Sequence, residues 1–465
     1  MSWKDSHRPA ALEDRLEDGV VRCRLSPRNC VIKPGKLGFC GVRGNVEGRL
    51  VTFNYGKGVH ATEETIETEA VNHWSPGERI LSLGNVGCML NCDYCHNWKT
   101  SQARHVSDSD VHEYTPEGVV ATAKRHGIRT LSWTYNDPVV WHEFVIDTAR
   151  LARAAGMRNV FKSAFFISPE AVDELLPVID VFSISIKSMD PEYYRRLTKG
   201  WVEPVLEATR QVHRAGKHVE VSCLMVTDVS DDEKTARAIG EFVLDDLGPS
   251  VPLHFVRFHP DYKMTNTTRT PVDRLHRARA IAKSMGLRHV YLGNVHDADA
   301  TSTWCPSCDA RLVTRFGLNA RVVGLDARGR CAACGADADV KLFEATARSV
   351  VDAAAIGEVR TFDWHGDIRS LHVQARNTGA QPATICWRRR GGANASWTTL
   401  ALGPAESHRW LLAMAAPGET GVELVFPQGV VSNLHEVFDR AHFPTVAIED
   451  ACAETDLVPL PVYRR

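Results

Sequence analysis

Short apolar runs alternate with longer helical patterns through the middle of the chain, and this alternation restricts the fold more than any other feature. Seven strand-like runs lie between residues 80 and 293: ILSLGNV, RTLSWTY, NVFKSAF, VFSISIK, HVEVSCLMV, PLHFVRF and HVYLG. Two parallel neighbouring strands need a crossover connection of a dozen or more residues, which is usually a helix. Strands that alternate with helices therefore indicate a parallel sheet. We therefore predict an α/β fold with a partial or full (β/α) barrel at residues 76–300, whose reactive groups lie where strands end and loops begin.

The segments before and after the alternating strands and helices differ from them in composition and in sequence pattern. Residues 1–75 are rich in glycine, arginine and cysteine, which predicts a loop-rich, cysteine-containing N-terminal cap. Residues 301–340 carry two C-x-x-C pairs and predict a zinc-ribbon-like module. Beyond these, short aromatic-rich segments punctuated by Gly, Pro and Asn predict a small all-β C-terminal domain at residues 345–465.

Charge and hydropathy disfavour two classes of partner. The chain has 55 Lys and Arg against 57 Asp and Glu, so it lacks the basic surplus of a nucleic-acid-binding protein. No apolar run approaches the ~18 residues of a membrane helix, and the first residues lack the basic and apolar regions of a secretion signal. We expect no nucleic-acid partner, no membrane association and a cytoplasmic location. In that reducing compartment, clustered cysteines favour metal binding or redox chemistry over disulfides.

Three cysteines at C-x-x-x-C-x-x-C spacing follow the first predicted strand. Cys88, Cys92 and Cys95 lie in the segment GNVGCMLNCDYCHNW. Three thiolates on one short loop can hold an iron–sulfur cluster, and a four-iron cluster with three ligands keeps one iron open to a substrate or cofactor. On spacing alone, a zinc site completed by His96 is the alternative.

Two further C-x-x-C pairs predict a closed metal site. Cys305 and Cys308 are separated from Cys331 and Cys334 by twenty-two residues. Each pair can place two thiolates on one metal, and two pairs complete a tetrahedral Zn²⁺ site that stabilises the fold. Rubredoxin-like iron or an auxiliary cluster are the alternatives.

An N-terminal set of cysteines has no complete ligand pattern. Cys23, Cys30 and Cys40 could bind a metal together with an outside ligand, or bind none.

The cysteine loop resembles that of the radical S-adenosylmethionine (SAM) enzymes, which have an aromatic residue before the last cysteine, here Tyr94. The resemblance is closer to the radical SAM enzymes of the AmmeMemoRadiSam system, relatives of pyruvate formate-lyase activating enzyme. It runs from about Cys23 to about Asp337. The matching segments are PRNCVIKPGKLGFCGVRGN, SLGNVGCMLNCDYCHNW, TYNDP, FISPE, EPVLE, FHPDYKM and the late paired cysteines. The last third of the chain has no counterpart in this resemblance.

The resemblance implies both cofactors and chemistry. Cys88, Cys92 and Cys95 would hold a [4Fe–4S] cluster whose open iron chelates SAM. Reductive cleavage of SAM would release a 5′-deoxyadenosyl radical that abstracts hydrogen from an unidentified small-molecule or protein substrate. It also implies an electron donor of the flavodoxin or ferredoxin type.

Five residues carry over as SAM-binding candidates. The resemblance places Tyr94 beside the adenine, Asn136 and Asp137 near the amino group, Lys187 near the carboxylate, and His259 at the same rim.

The sequence departs from the family pattern at four places. Asp137 stands where the family usually has Glu, and Ser185 replaces the Asp of an Asp-Leu-Lys motif. The segment SAF at 163–165 replaces Ser-Asn-Gly, and Ser26 stands where a fourth N-terminal cysteine is common.

The sequence therefore predicts a radical SAM enzyme. Two alternatives are a glycyl-radical-enzyme activase and a non-catalytic iron–sulfur and zinc-binding interaction protein. We expect the C-terminal domain to present or recognise substrate, or to mediate self-association, because aromatic side chains supply contact area.

Overall fold

A computed structural model describes residues 2–342, 353–364, 370–391, 397–414, 419–437 and 448. These residues fall into two compact units. The first lies within Met1–Glu113 and Arg129–Ala345, and the second within Tyr114–Ile128 and Thr346–Arg465.

The first unit begins with two small antiparallel sheets. Their strands are β1 (Arg8–Pro9), β2 (Glu13–Arg15), β3 (Val21–Cys23), β4 (Cys30–Ile32), β5 (Arg43–Val46) and β6 (Arg49–Thr52). The orders are β1-β6-β5 and β2-β3-β4. This is the region where the sequence predicts a cysteine-containing cap.

A nine-stranded sheet forms the centre of the first unit. Its strands are β7 (Lys57–Thr65), β8 (Arg79–Asn85), β9 (His112–Glu113), β10 (Thr130–Thr134), β11 (Arg158–Ser163), β12 (Val181–Ser185), β13 (His218–Met225), β14 (Leu253–Arg257) and β15 (Val290–Gly293). The order is β15-β14-β13-β12-β11-β10-β8-β7-β9. The seven strands from β8 to β15 in this row are parallel, which confirms the predicted α/β alternation, whereas β7 and β9 join antiparallel. The sheet is open, with β15 and β9 at its edges, so it does not close into a full ring.

Helices follow the strands as the sequence periodicity predicts. They are α1 (Trp98–Ser101), α2 (Pro116–Arg125), α3 (His142–Ala154), α4 (Pro169–Leu175), α5 (Pro191–Tyr193), α6 (Glu203–Arg214), α7 (Glu233–Phe242), α8 (Val272–Ser284), α9 (Ala298–Thr301) and α10 (Ala353–Ile356). The 3-10 helices are Glu17–Gly19, Ile66–Glu69, Asp108–Asp110 and Pro138–Trp141, and the π-helices are Tyr194–Thr198 and Val243–Leu247. No helix of the described segments is long and apolar enough to span a bilayer.

Local sequence determines where several helices begin. The Ser168 hydroxyl accepts a hydrogen bond from the Ala171 amide at 3.4 Å, and Pro169 occupies the first position of α4. The Asp232 carboxylate similarly accepts from the Thr235 amide at 2.8 Å at the start of α7. These side chains satisfy amide groups that have no acceptor within the helix.

The two faces of the parallel sheet differ in polarity. Alternation along β10 sends Leu131 and Trp133 to one face, where the Trp133 ring meets Trp141 and Phe144 edge-on. The opposite face, here called the polar face, carries hydroxyl and charged side chains from five strands: Ser82, Ser132, Thr134, Lys162, Ser183, Ser185, Glu220 and Ser222. A polar layer on a buried sheet needs an internal partner for each group.

Those partners are charged groups within the polar face. Lys162 Nζ donates to the hydroxyls of Ser183 and Ser222 at 3.1 Å each. Glu220 accepts from the amides of Asn72 and His73 at 2.9 and 2.7 Å. The Glu220 carboxylate also meets His218 Nε2 at 3.0 Å and His254 Nε2 at 2.8 Å. Complete burial would raise the pKa of Glu220, but His218 and His254 outweigh it and hold that pKa well below its usual value.

A three-stranded antiparallel sheet carries the late cysteine pairs. Its strands are β16 (Thr303–Trp304), β17 (Arg311–Phe316) and β18 (Asn319–Val322). Arg315 in β17 is almost fully buried and donates to the Asn72 carbonyl at 2.7 Å, which ties this sheet to the segment before β8.

The second unit contains two antiparallel sheets. Its strands are β19 (Val359–Asp363), β20 (Ser370–Asn377), β21 (Ala383–Arg390), β22 (Thr398–Leu402), β23 (Ser407–Met414), β24 (Gly421–Val425) and β25 (Val430–Val437). The orders are β19-β24-β21-β22 and β23-β20-β25. Helix α2 belongs to the same unit, where Arg125 pairs with Glu406 at 2.7 Å. Trp387 lies in its apolar core, and Trp364 packs against that core.

We predict that Glu220→Ala lowers the free energy of unfolding by about 3–5 kcal/mol, because it removes the ionised acceptor from a buried network. Denaturant unfolding at pH 7 measures the change. The matched control is Glu233→Ala at the exposed start of α7, which should cost less than about 1 kcal/mol. Equal effects of the two substitutions would contradict the structural role of Glu220.

Candidate active site and cysteine centres

The loop that follows β8 carries the first cysteine set and is fixed at its start. Asn85, the last residue of β8, donates from Nδ2 to the Val86 and Gly87 carbonyls at 3.0 Å each. Gly87 has a φ of +94°, and a Cβ there would stand 2.8 Å from Val42 Cγ1. Glycine is therefore required both by conformation and by space.

The far part of the loop is held by neighbouring segments. The amides of Asn91 and Asp93 donate to the Thr198 and Leu197 carbonyls at 3.0 and 2.9 Å. The Asp93 carboxylate lies between Lys199 Nζ at 3.0 Å and Lys263 Nζ at 2.9 Å. These bonds between residues of the chain fix the backbone around Cys92 and Cys95.

The three thiols of this loop are partly exposed and share one electrostatic environment. Exclusion of water raises the pKa of Cys92 to about 12, and the Lys187 ammonium acts in the opposite direction. Exclusion of water also raises the pKa of Cys88, and the Asp137 carboxylate adds to that increase. The structure therefore brings the predicted residues Cys88, Cys92, Asp137 and Lys187 into one neighbourhood.

The sulfur atoms of the loop do not form a single-ion site. Within the described segments, only another cysteine group has three or more candidate ligand atoms all within 4.8 Å of one another. Sulfurs around a tetrahedral zinc lie about 3.8 Å apart, given a Zn–S bond of about 2.3 Å. The zinc alternative for Cys88, Cys92, Cys95 and His96 therefore lacks the required geometry.

Asp137 is fully buried at the end of β10. Its Oδ1 accepts from the Ser163 hydroxyl at 2.7 Å and the Val139 amide at 3.2 Å, and its Oδ2 accepts from the Ala164 amide at 3.0 Å. Burial raises its pKa to about 6, and these three bonds oppose the shift. Asp137 thus links the ends of β10 and β11.

Residues with left-handed backbone conformation follow both of the strands that Asp137 links. Tyr135 has a φ of +67° and Phe165 a φ of +56°. Phe165 ends the segment SAF, and its conformation is one that glycine adopts without strain.

Asn136 connects the same strand to the cysteine loop. Its Nδ2 donates to the Asn85 carbonyl, and its Oδ1 accepts from the Thr100 hydroxyl at 3.2 Å. Lys187, just beyond β12, donates through its amide to the Tyr194 hydroxyl at 3.0 Å.

Tyr94 belongs to the loop itself, and His259 lies against His96 just after the last cysteine. Tyr94 is buried, with its ring centroid 6.2 Å from that of Tyr193. The His259 ring stacks on His96 at a centroid distance of 3.6 Å, and His96 Nε2 lies 3.1 Å from the His259 carbonyl oxygen. A SAM contact by either residue stays a prediction.

Sequence analysis missed the charged groups of the polar face. Lys162 is partly buried on β11, and the loss of water around its ammonium lowers its pKa to about 8. Glu64 accepts from the Tyr135 hydroxyl at 2.6 Å, and burial raises its pKa to about 8. Glu69 accepts from the hydroxyls of Ser132 and Thr134 at 2.7 Å each. A lysine between apolar residues of the strand-like run NVFKSAF was the available signal.

The late cysteines form a compact four-sulfur group. Cys305 Sγ lies 3.6 Å from Cys334 Sγ, and Cys308 Sγ lies 3.7 Å from Cys331 Sγ. All four sulfurs are within 4.8 Å of one another. These separations match the tetrahedral edge of about 3.8 Å, so the group could bind zinc or iron.

The two pairs of this group have the same local geometry. The residue after each second cysteine, Asp309 or Gly335, has a φ of +54° or +74° and donates its amide to the carbonyl of the first cysteine. This repeated turn places two sulfurs on the same side of each pair.

The N-terminal cysteines line a cavity in the first unit. Cys23 and Cys30 are directly opposed residues of the antiparallel pair β3–β4, and Cys40 lies in the turn that precedes β5. The structure therefore brings together all three residues of a set that sequence analysis left undecided.

Comparisons with known proteins identify relatives of this chain. A family model described as the radical SAM superfamily matches residues 82–239. The uncharacterized protein MJ0808 of Methanocaldococcus jannaschii is 39% identical over 336 residues, which cover 72% of this chain and 100% of that protein. The pyruvate formate-lyase 1-activating enzyme of Escherichia coli K12 is 25% identical over 190 residues, 40% of this chain and 75% of that enzyme.

A solved domain of a pyruvate-formate lyase-activating enzyme from Bacteroides vulgatus is 21% identical. It aligns with 35% of this chain and 98% of that chain, at a TM-score of 0.31.

We predict a pH-dependent stability contribution from Asp137. With a folded pKa of about 6 and an ordinary value of 3.8, the unfolded chain loses this proton first. The free energy of unfolding should therefore fall by about 3 kcal/mol between about pH 3 and pH 7. Denaturant unfolding of iron-free protein measures it.

Two variants isolate this contribution. Asp137→Asn removes the titrating group and should lose this fall with pH. Ser163→Ala keeps the carboxyl while removing a donor to it, so it should retain the fall. The same pH dependence in Asp137→Asn and in the unmodified protein would refute the assignment.

Proposed function

Because this chain belongs to the radical SAM superfamily and is an enzyme of that superfamily, we propose that it cleaves SAM reductively to start a radical reaction. The observation that supports this proposal most directly is the position of the three-thiol loop, which lies beside Asp137 and Lys187 at the carboxyl edge of the parallel strands. This edge is where α/β enzymes place their reactive groups.

The residues of the loop fit a [4Fe–4S] cluster. Cys88, Cys92 and Cys95 supply three thiol ligands. Their sulfurs are spread more widely than a single tetrahedral ion requires. A four-iron cluster joins its thiolates through separate irons, so it suits this wider spacing and keeps one iron for SAM.

Charged residues around the loop can bind and orient SAM. The Lys187 ammonium can pair with its carboxylate, because it lies close enough to act on the pKa of Cys92. Asp137 Oδ2 accepts one bond from the chain and retains a lone pair for the SAM amino group. Tyr94, Asn136 and His259 complete the proposed SAM site. When bound and reduced, the cluster supplies the electron that converts SAM into methionine and a 5′-deoxyadenosyl radical.

The polar face suggests the chemical character of the substrate. Lys162 on this face is partly buried, Glu64 is buried on β7, and the buried Glu69 accepts from the polar-face hydroxyls of Ser132 and Thr134. We infer that a substrate with several polar groups binds above this layer. A one-electron donor of the flavodoxin or ferredoxin type would reduce the cluster.

A glycyl-radical-enzyme activase is the second candidate function. The similarity to the Escherichia coli enzyme named as a pyruvate formate-lyase activase favours it. The two candidates differ in the final hydrogen donor, which is a protein backbone glycine in an activase. A stable glycyl radical in a partner protein, detected by electron paramagnetic resonance, would select the activase. The enzyme assignment makes the non-catalytic alternative wrong.

We predict that Cys92→Ala abolishes 5′-deoxyadenosine formation from SAM under anaerobic reducing conditions, because the variant lacks one cluster ligand. Chromatography quantifies the nucleoside, and chemical analysis counts iron and sulfide. The control is Cys386→Ala, which removes a buried thiol of the second unit and should keep both activity and iron. Activity of Cys92→Ala at the unmodified level would rule out this site.

We propose that Cys305, Cys308, Cys331 and Cys334 bind one structural Zn²⁺, since a closed tetrahedral set leaves no open coordination position. Cys331→Ala should lose about one zinc per chain and lower the thermal midpoint of unfolding. Elemental analysis of iron-loaded protein separates zinc from iron at this site. Unchanged zinc content in the variant would disprove the assignment, and Cys386→Ala is again the control.

The strands that begin near residue 359 belong to a unit whose catalytic contribution we expect to be indirect. We propose that this unit presents substrate or mediates self-association. Helix α2 shares this unit, so removal of the C-terminal strands would also expose Arg125. Our domain limits of 1–75, 76–300, 301–340 and 345–465 stay proposals.

A further inference from the structure

One segment near the N-terminus concentrates positive charge. Residues 19–46 contain six Lys and Arg and no Asp or Glu, although the whole chain has a net charge of -2. Three of the six pair with carboxylates at 2.8–3.8 Å: Arg22 and Arg24 with Asp14, and Arg43 with Glu143. The other three, which are Arg28, Lys33 and Lys36, have no carboxylate oxygen within 4.0 Å among the described residues.

A tight turn presents two of these charges to solvent. The Lys36 amide donates to the Lys33 carbonyl at 3.0 Å, and between them lie Pro34 and Gly35, whose φ is +70°. Proline followed by a glycine of positive φ is typical of a type II turn. The Gly35 amide donates to the Asn45 carbonyl at 2.8 Å, and the Asn45 amide donates to the Lys36 carbonyl at 2.9 Å. The turn is therefore held against β5, and both lysine side chains are exposed.

Exposed apolar side chains follow this turn directly. Leu37 is 43% exposed and Phe39 is 45% exposed. Apolar side chains beside unpaired charges are typical of a protein–protein contact surface, where the apolar centre loses water and the charged rim selects the partner. We call the surface formed by Arg28, Lys33, Lys36, Leu37 and Phe39 the cap patch.

Arg28 connects the cap patch to the cysteine loop. Its guanidinium carbon lies 3.6 Å from the centroid of the Phe39 ring, and its Nε donates to the Met89 carbonyl at 3.2 Å. Met89 directly follows Cys88, one of the proposed cluster ligands. Arg28 Nη2 also donates to the Lys199 carbonyl, which fixes the guanidinium further. One side chain thus contacts both the exposed Phe39 ring and the loop that would hold the cluster.

We propose that the cap patch is the docking surface for the protein that reduces the cluster, an acidic one-electron carrier of the flavodoxin or ferredoxin type. The inference rests on the proposed function, in which the cluster has to be reduced before SAM is cleaved. Acidic side chains of the carrier would face Arg28, Lys33 and Lys36, and its apolar surface would cover Leu37 and Phe39.

The position of the cap patch favours a redox carrier over other acidic proteins. Electron transfer needs the donor close to the acceptor, and the patch adjoins the cysteine loop through Arg28. The docked carrier gives up one electron and the cluster accepts it, so the carrier is oxidised and the cluster reduced without a bond being formed or broken.

Charge reversal at the turn tests the docking surface. At low ionic strength, Lys33→Glu, Lys36→Glu in the full iron-loaded chain should bind oxidised flavodoxin or ferredoxin about tenfold more weakly. Its cluster should also be reduced more slowly by the reduced carrier. Reduction by dithionite, a small reductant that needs no docking surface, should stay unchanged. Calorimetry measures binding, and anaerobic stopped-flow absorbance measures reduction.

The matched control is Lys234→Glu, Arg237→Glu on α7, which makes the same change of charge at the same spacing on an exposed surface. This control should bind carriers and accept electrons as the unmodified protein does. Added salt should weaken carrier binding by the unmodified protein and the control, and should affect the Lys33→Glu, Lys36→Glu variant much less.

A second variant tests the apolar centre of the patch. Phe39→Ala should weaken carrier binding several-fold at high as well as low salt, because it removes contact area rather than charge. Carrier binding that is unchanged in Phe39→Ala would overturn the placement of Phe39 in the docking surface.

The two reductants separate this inference from the proposed function. The cap patch is refuted if the charge-reversed variant binds carriers as the unmodified protein does, or if neither carrier binds the unmodified protein. Slower reduction of that variant by dithionite as well would mean that the substitutions disturb the cluster, which also overturns the inference. A lack of SAM cleavage by the dithionite-reduced, unmodified protein would instead refute the proposed function.

Discussion

The parallel pairing of strands β8 to β15 is the constraint on which the site depends. Parallel strands bring their carboxyl ends to one edge of the sheet, so residues far apart in sequence meet there. The cysteine loop follows β8, Asp137 follows β10, and Lys187 follows β12. If one of these strands ran in the opposite direction, the loop that follows it would lie at the other edge of the sheet. The side chain carried by that loop would then be lost from the site.

Local bonds convert this shared edge into a defined site. Asn136 joins the end of β10 to the end of β8, and Asp137 joins β10 to β11 through Ser163 and Ala164. Asp93, held between two lysine side chains, fixes the other end of the cysteine loop. These bonds among the chain's own residues hold the backbone on both sides of the cysteines.

The polar face carries an energetic cost that indicates function. Buried charges stabilise a fold poorly, and apolar residues of similar volume often serve as well. Lys162 nevertheless lies partly buried on this face, with Ser183 and Ser222 as its hydrogen-bond partners and the Glu69 and Glu220 carboxylates as charge partners. Proteins retain such buried charged groups where a ligand needs them. The charged groups of this sheet lie in the same row of parallel strands that carries the cysteine loop, Asp137 and Lys187 at its carboxyl edge.

The sequence predicted the parallel strands and the grouping of the late cysteines better than it predicted the interior. Periodicity identified the parallel strands, and C-x-x-C spacing identified the group of Cys305 and its three partners, because both signals are local. The polar partners of Lys162 come from β12 and β13, so no local pattern could reveal them.

The sequence did not reveal one association within the second compact unit for a similar reason. Helix α2 lies between β8 and β10 in sequence, but it belongs to the second compact unit, where Arg125 pairs with Glu406. This association depends on contacts between segments almost three hundred residues apart. The local sequence of the helix therefore does not predict which unit the helix joins.

The most direct test of a SAM-chelating cluster at Cys88, Cys92 and Cys95 is electron–nuclear double resonance on the reduced protein. SAM labelled with ¹⁵N in its amino group and ¹⁷O in its carboxylate reports whether both groups touch the cluster iron. The account predicts hyperfine couplings from both labels, which disappear in Cys92→Ala. Absence of both couplings in the unmodified protein with SAM bound would contradict it.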